Sequence, residues 1–148
     1  MVTPAVSRTF DVAVPRAQAW DRLVEVERWP EWAPHISAAT VTPSGPLGPS
    51  SAGVLDIRGF GRNTFRMSAW EPSERWEWTG GLPGVRIVYD HQFHAVDDAT
   101  TTLTWVVTVD GPLAWLVRPV FARVYGRNLD KAIPQLQQWI ATDARHNP

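Results

Sequence analysis

The 148-residue chain has no cysteine, which excludes disulfides, thiolate metal sites and a cysteine nucleophile and makes a reducing cytoplasm the expected compartment. It has no apolar run of bilayer-spanning length and no charged segment leading into an apolar leader, so stable membrane insertion is not expected. It has almost no net charge: 14 basic against 15 acidic residues leave −1. Such a balance supplies no field toward phosphates, and nucleic acid is not expected as a partner. Nor does it contain a Gly-Xaa-Ser-Xaa-Gly elbow, a Walker loop, a dinucleotide fingerprint or a zinc-protease helix. No cofactor and no metal are therefore expected, and an enzyme built on this chain would work with acid/base groups and shape. What the chain has in excess is tryptophan, nine in all, each a large rigid apolar surface with a single N–H, and suited to the wall of a cavity. The length suits one domain over 1–148.

Ser7 to Val14 alternates, with Phe10, Val12 and Val14 on one side, the period of a half-buried strand. Pro15 suits a first helical position, and Ala17, Trp20, Leu23 and Val24 follow at helical spacing. The stretch ERWPEWAPH, Glu27 to His35, holds two prolines, so its tryptophans belong to a tight turn or one-turn helix on which Trp29 and Trp32 can share a face. A short strand closing at Val41 precedes Pro43 to Gly53, a loop poor in apolar residues and expected to form a mobile rim. Five strand-like runs come next: Val54 to Arg58, Asn63 to Trp70, Arg75 to Thr79, Val85 to Val96 and Thr101 to Val109, with turns at Gly59 and Gly61, Glu71 to Glu74, Gly80 to Gly84, and Asp97-Asp98. Short turns make the neighbours antiparallel.

After Gly111-Pro112 the period becomes helical, with Leu116, Val120, Phe121, Val124, Leu129, Ile133, Leu136 and Ile140 on one stripe. Pro119 and Pro134 each remove a backbone donor, which predicts a break or late start at the first and a kink at the second. Ala144 to Pro148 reads as a frayed tail. A strand, a short helix, many antiparallel strands and one long helix make an α+β arrangement. One helix covers that many strands only where the sheet curls around it, leaving a space to be filled or kept open.

The sequence VPRAQAWDRLVEVERWPEWAP after the first strand, the turn Glu71 to Trp78, the stretch HQFHAVDDATTTLTW from His91 to Trp105, and the final helix after Gly111-Pro112-Leu113 resemble the polyketide cyclase/dehydrase branch of the START-like helix-grip superfamily. The resemblance runs nearly end to end. It implies a curved antiparallel sheet of about seven strands wrapped around a long C-terminal helix, two short helices after the first strand, and an apolar cavity. It does not imply one activity, because similar proteins include aromatases, cyclases, ligand carriers and hormone binders.

Along Val85 to Val96, Ile87, Tyr89, His91 and Phe93 share one face, read as inward. Tyr89 and His91 are the first polar candidates for orienting a ligand or moving a proton. His91 and His94 fall on opposite faces, which argues against a metal pair. His35 follows the tryptophan-rich turn that similar proteins bring to a cavity mouth, and Trp32 lies beside it. Phe65 with Met67, Trp76 with Trp78, and Trp105 with its strand neighbours form matched apolar faces that either line the cavity or fill it. On the last helix Phe121, Tyr125 and Asn128 fall on a strip able to face the sheet. Asp56 and Arg58 share a strand face, giving either a surface pair or an acid/base group in the pocket. Arg123, Arg127 and Lys131 recur every four residues, the pattern of a solvated helix face. Three readings are open: a module binding a small hydrophobic or aromatic, polyketide- or lipid-like molecule; a polyketide cyclase, aromatase or dehydratase using Tyr89, His91 or Asp56; and a regulatory partner protein. A homodimer is left open.

Overall fold

A computed structural model describes residues 3–146. Its order is β1 (Val6–Val12), α1 (Arg16–Leu23), a 3₁₀ segment (Val26–Glu31), β2 (Ile36–Thr42), β3 (Ala52–Ile57), β4 (Gly61–Glu71), β5 (Arg75–Leu82), β6 (Val85–Ala95), β7 (Thr101–Asp110) and α2 (Ala114–His146). The strands form one curved, wholly antiparallel sheet in the order β1-β7-β6-β5-β4-β3-β2. β2 to β7 are a simple meander of neighbours joined by short turns, and β1 pairs with β7 at the far edge. Glycines supply the turn backbones where a side chain is penalised: Gly59 and Gly61 at the β3–β4 turn, and Gly84 at the β5–β6 turn, all have φ between 81° and 87°.

Alternation sorts the faces. On β7 every second residue, Thr101 to Val109, is buried, and Leu103, Trp105, Val107 and Val109 meet Leu129, Ala132, Leu136 and Ile140 of α2 in one apolar core. α2 is fastened to the first part of the chain. Arg8 Nε reaches Asp130 at 2.7 Å, Gln137 Nε2 donates to the Asp11 carbonyl at 2.8 Å, and Trp139 Nε1 donates to Glu31 at 3.1 Å.

Four expectations need correction. Ala19, not Ala17, joins Trp20 and Leu23 in the buried face of α1, whose register turns Ala17 to solvent. The loop after β2 is tied down: Leu47 is buried with its N–H on the Val24 carbonyl at 2.9 Å, while the Glu27 carboxylate accepts from Ser44 and from the Val41 and Gly45 backbones. β5 continues through Gly80 and Gly81 to Leu82, so the turn narrows to Pro83-Gly84. α2 begins at Ala114 and is helical through Pro119, so neither a break nor a late start occurs there; Pro134 also lies within the helix. Leu113 anchors that start, its N–H on the Gly84 carbonyl at 2.9 Å. Of the expected frayed tail, Ala144 to His146 are helical, and residues 147–148 lie outside the described residues.

Candidate functional site

The sheet register stacks aromatic residues in rungs. Trp76 lies opposite His91, which lies opposite Trp105; one rung along, Trp78 faces Tyr89 and Tyr89 faces Val107. Each of these side chains points toward α2 because the pleat alternates and the three strands are in register.

The two rungs end up in different surroundings. Trp20, projecting from α1, packs edge-on against Trp70, Trp76 and Phe93 at centroid distances of 5.1, 5.4 and 5.1 Å. That plug makes one end of the interior solid. Beyond it the sheet and the first half of α2 enclose a cavity of about 370 Å³, within the usual size range for small-molecule sites. Its walls include Trp29, Trp32, Phe65, Trp78, Tyr89, Trp105, Phe121 and Tyr125. Phe65 stacks on Trp78 at 4.1 Å, Phe121 stacks on Tyr125 at 5.1 Å, and Tyr89 and Tyr125 approach from opposite walls at 5.7 Å. His91 sits on the boundary, stacked on Trp76 at 4.7 Å and 4.8 Å from Trp78.

No aspartate, glutamate, lysine or arginine is among the lining residues. The polar ones are His35, Asn63, Thr64, Tyr89, His91, Tyr125 and Asn128, with the indole nitrogens. Burial lowers His91 to about 3, against a backbone hydrogen bond with Trp76 that works the other way, and burial lowers His35 to about 4. Both imidazoles are neutral at pH 7. Burial raises the Tyr89 and Tyr125 phenols, and Tyr89 further raises Tyr125, so both keep their protons. Trp32 Nε1, Trp105 Nε1, His35 Nδ1 and His91 Nδ1 are all buried without a protein hydrogen-bond partner. Buried polar groups are almost always paired; a fifth unpaired nitrogen, Trp76 Nε1, lies in the filled half beside Trp20.

Sequence patterning therefore located Trp32, His35, Phe65, Trp78, Tyr89, His91, Trp105, Phe121, Tyr125 and Asn128 on residues that line the cavity. Trp76, Phe93 and Met67 stand outside its wall. Trp76 and Phe93 are fully buried around Trp20, and Met67 packs on the core where a bulge interrupts the β4–β5 register. Asp56 is also outside. It faces away with Arg62 at 3.8 Å, while Arg58 donates to the Pro34 carbonyl, because the inward face of β3 belongs to Leu55 and Ile57. Trp29 and Asn63 line the cavity as well. The prolines around Trp29 hid any periodicity there; its indole N–H on the Leu23 carbonyl at 2.9 Å sets its place. Among the described residues no cluster of His, Asp and Glu could hold a metal ion, and no helix is long and apolar enough to cross a membrane.

Residues 3–138 match the family model described as polyketide cyclase / dehydrase and lipid transport. The chain belongs to that family. An uncharacterised protein of Mycobacterium tuberculosis is 28% identical over 144 residues, covering 93% of this chain and 83% of the relative. Among solved structures, a Thermobifida fusca protein superposes with a TM-score of 0.69 at 21% identity, covering 93% of each chain. The Zhui aromatase/cyclase of a Streptomyces species gives 0.66 at 15% identity, covering 95% of this chain and 92% of that one. A START superfamily protein of Mycobacterium smegmatis gives 0.62 at 18%, covering 93% and 97%. At these identities the structures establish the fold alone.

Proposed function

We propose that the protein encloses one small, neutral, largely apolar molecule that carries hydrogen-bond-accepting oxygen. The observation that supports this is the cavity without a charged side chain, in which two indole N–H groups and the Nδ1 atoms of two neutral imidazoles are buried unpaired. Apolar burial supplies the affinity. The indoles only donate, so they call for an acceptor such as a carbonyl or ether oxygen. A carboxylate would lose its hydration with no cation to replace it. Native mass spectrometry and calorimetric titration with a polycyclic ketone, its hydrocarbon analogue and a fatty acid of similar size test this reading. The ketone should bind most tightly, and equal or better binding of the fatty acid would overturn it.

A cyclase- or aromatase-type activity is the second reading, favoured by Tyr89, Tyr125, His35 and His91 lining one small cavity, and by the fold shared with an aromatase/cyclase. Against it, both histidines are lowered far from the range in which a general base works best at neutral pH. Tyr89→Phe and His91→Gln separate the two. Binding alone should weaken by about tenfold or less, the worth of one hydrogen bond, whereas catalysis should lose turnover with affinity largely kept.

A further inference from the structure

The cavity opens at one end of the sheet, and that end is apolar on its outside. Phe60, Leu82 and Val120 line the cavity, yet each is more than half exposed, so they mark its mouth. Phe60 is on the β3–β4 turn, Leu82 ends β5 beside the β5–β6 turn, and Leu113 crosses Gly84 to start α2. The pairing of Asp56 with Arg62, Gly80 with Phe65 and Arg86 with Asp110 puts these turns at the same edge of the fold. Next to them α2 presents Trp115, 73% exposed, and Leu116, 60% exposed. Six large apolar side chains thus crown the mouth of a charge-free cavity, more contiguous apolar exposure than single scattered residues explain.

Behind the crown come cations. Arg123, Arg127 and Lys131 continue the outward side of α2, beginning about 12 Å along the axis from Trp115, and Arg86 stands at the base of the β5–β6 turn. None of the four forms an ion pair among the described residues. The carboxylates at this end are Asp56, already held by Arg62, and Asp110. The opposite end carries Glu71, paired with Arg75, and Glu74 at the β4–β5 turn, with Asp97 and Asp98 at the β6–β7 turn. A net charge of −1 therefore includes, among the described residues, three arginines without an ion pair, Arg86, Arg123 and Arg127, on the mouth side and three carboxylates without one, Glu74, Asp97 and Asp98, at the far end.

We infer that the mouth end docks reversibly on an anionic phospholipid bilayer, with Trp115, Leu116, Val120, Phe60, Leu82 and Leu113 entering the interface and Arg86, Arg123 and Arg127 meeting the headgroup phosphates. An apolar tip carrying an exposed tryptophan, backed by arginines, is the arrangement that binds an interface plane, and it complements negative lipid in charge. The helix stripe that sequence alone assigns to plain solvation is the collar of this contact. Docking in this orientation faces the cavity mouth to the hydrocarbon, a direct route for an apolar guest.

The test is co-sedimentation of the full chain with vesicles of phosphatidylcholine alone and of phosphatidylcholine with phosphatidylglycerol, at low and high salt. The protein should pellet with the anionic vesicles, and salt should release it. Trp115→Ser with Leu116→Ser should lower binding by about tenfold or more, from the lost apolar burial. Arg123→Glu with Arg127→Glu should remove the preference for anionic lipid. All four positions are exposed, so the unfolding midpoint of each variant should match the parent, which checks that folding is not the cause. No pelleting at low salt, or pelleting indifferent to Trp115→Ser/Leu116→Ser, overturns the inference. So does a dimer in analytical ultracentrifugation that this variant dissolves, since a second copy would then cover the patch. Vesicle binding needs no guest in the cavity, so its failure and that of the ligand reading are separable.

Discussion

The two halves of α2 cover the same sheet and do opposite things. From Ala132 to Ile140 the helix sends Ala132, Leu136 and Ile140 into a solid core. From Ala114 to Tyr125 it leaves Trp115, Leu116 and Val120 to solvent and holds Phe121 and Tyr125 over a hollow. Both halves meet aromatic strands, so composition does not separate them. The difference is α1: Trp20 fills the space under one half, and no residue of α1 lines the cavity under the other. A cavity of this kind is an interior from which one plug has been withheld.

If that contrast is right, truncation should hurt most in the filled half. Trp76→Ala or Phe93→Ala should cost about 3–5 kcal/mol, the range for fully buried aromatics, in denaturant unfolding monitored by circular dichroism. A loss near 1 kcal/mol would mean that the filled half is as loose as the hollow one. Gly53→Ala comes next. A methyl there would run into the Thr40 carbonyl oxygen and stand 2.6 Å from the Phe65 ring, and a cost of about 1–3 kcal/mol is expected from overpacking, together with altered ligand affinity because Phe65 is a cavity wall.

Acid should act at the boundary between the halves. In the folded chain His91 resists protonation down to about 3 and His35 down to about 4, whereas in the unfolded chain both protonate near 6.5. Below about 6.5 the unfolded state therefore takes up protons that the folded state refuses. Stability is full above that pH and falls as the pH drops toward the folded values, by about 1.4 kcal/mol per pH unit for His91. His91→Gln should flatten the slope of unfolding free energy against pH between about 6 and 4. The smallest effect is expected for Phe121→Ala on the half-buried hollow side: about 1 kcal/mol or less, with a larger change in which ligands fit.

Much of this is legible in the sequence. Period two on β6 placed Tyr89 and His91 together on the inner face, and the helical period placed Phe121, Tyr125 and Asn128 toward them. Periodicity assigns a face, however, and not a depth along it. Trp76 and Trp78 share a face and a strand, and only the reach of Trp20 from another element makes the first a core residue and the second a wall. Asp56 shows the other limit: alternation pairs it with Arg58 on one face of β3, but which face is inner follows from the whole sheet. Leu47 anchors a loop whose composition reads as loose, because a single apolar side chain and one carboxylate, Glu27, suffice to fasten it.

The order of pairing also sets an order of events. β2 through β7 can zip together from one neighbouring hairpin to the next, each closing a short loop. β1 cannot join them so cheaply, because Val6 pairs with Val107, about a hundred residues away, and that closure carries the largest chain-entropy cost of any strand pairing in the sheet. On a ribosome β1 thus emerges long before its partner β7 is made. It waits unpaired while the rest of the sheet is made, and β7 keeps an open edge until β1 arrives.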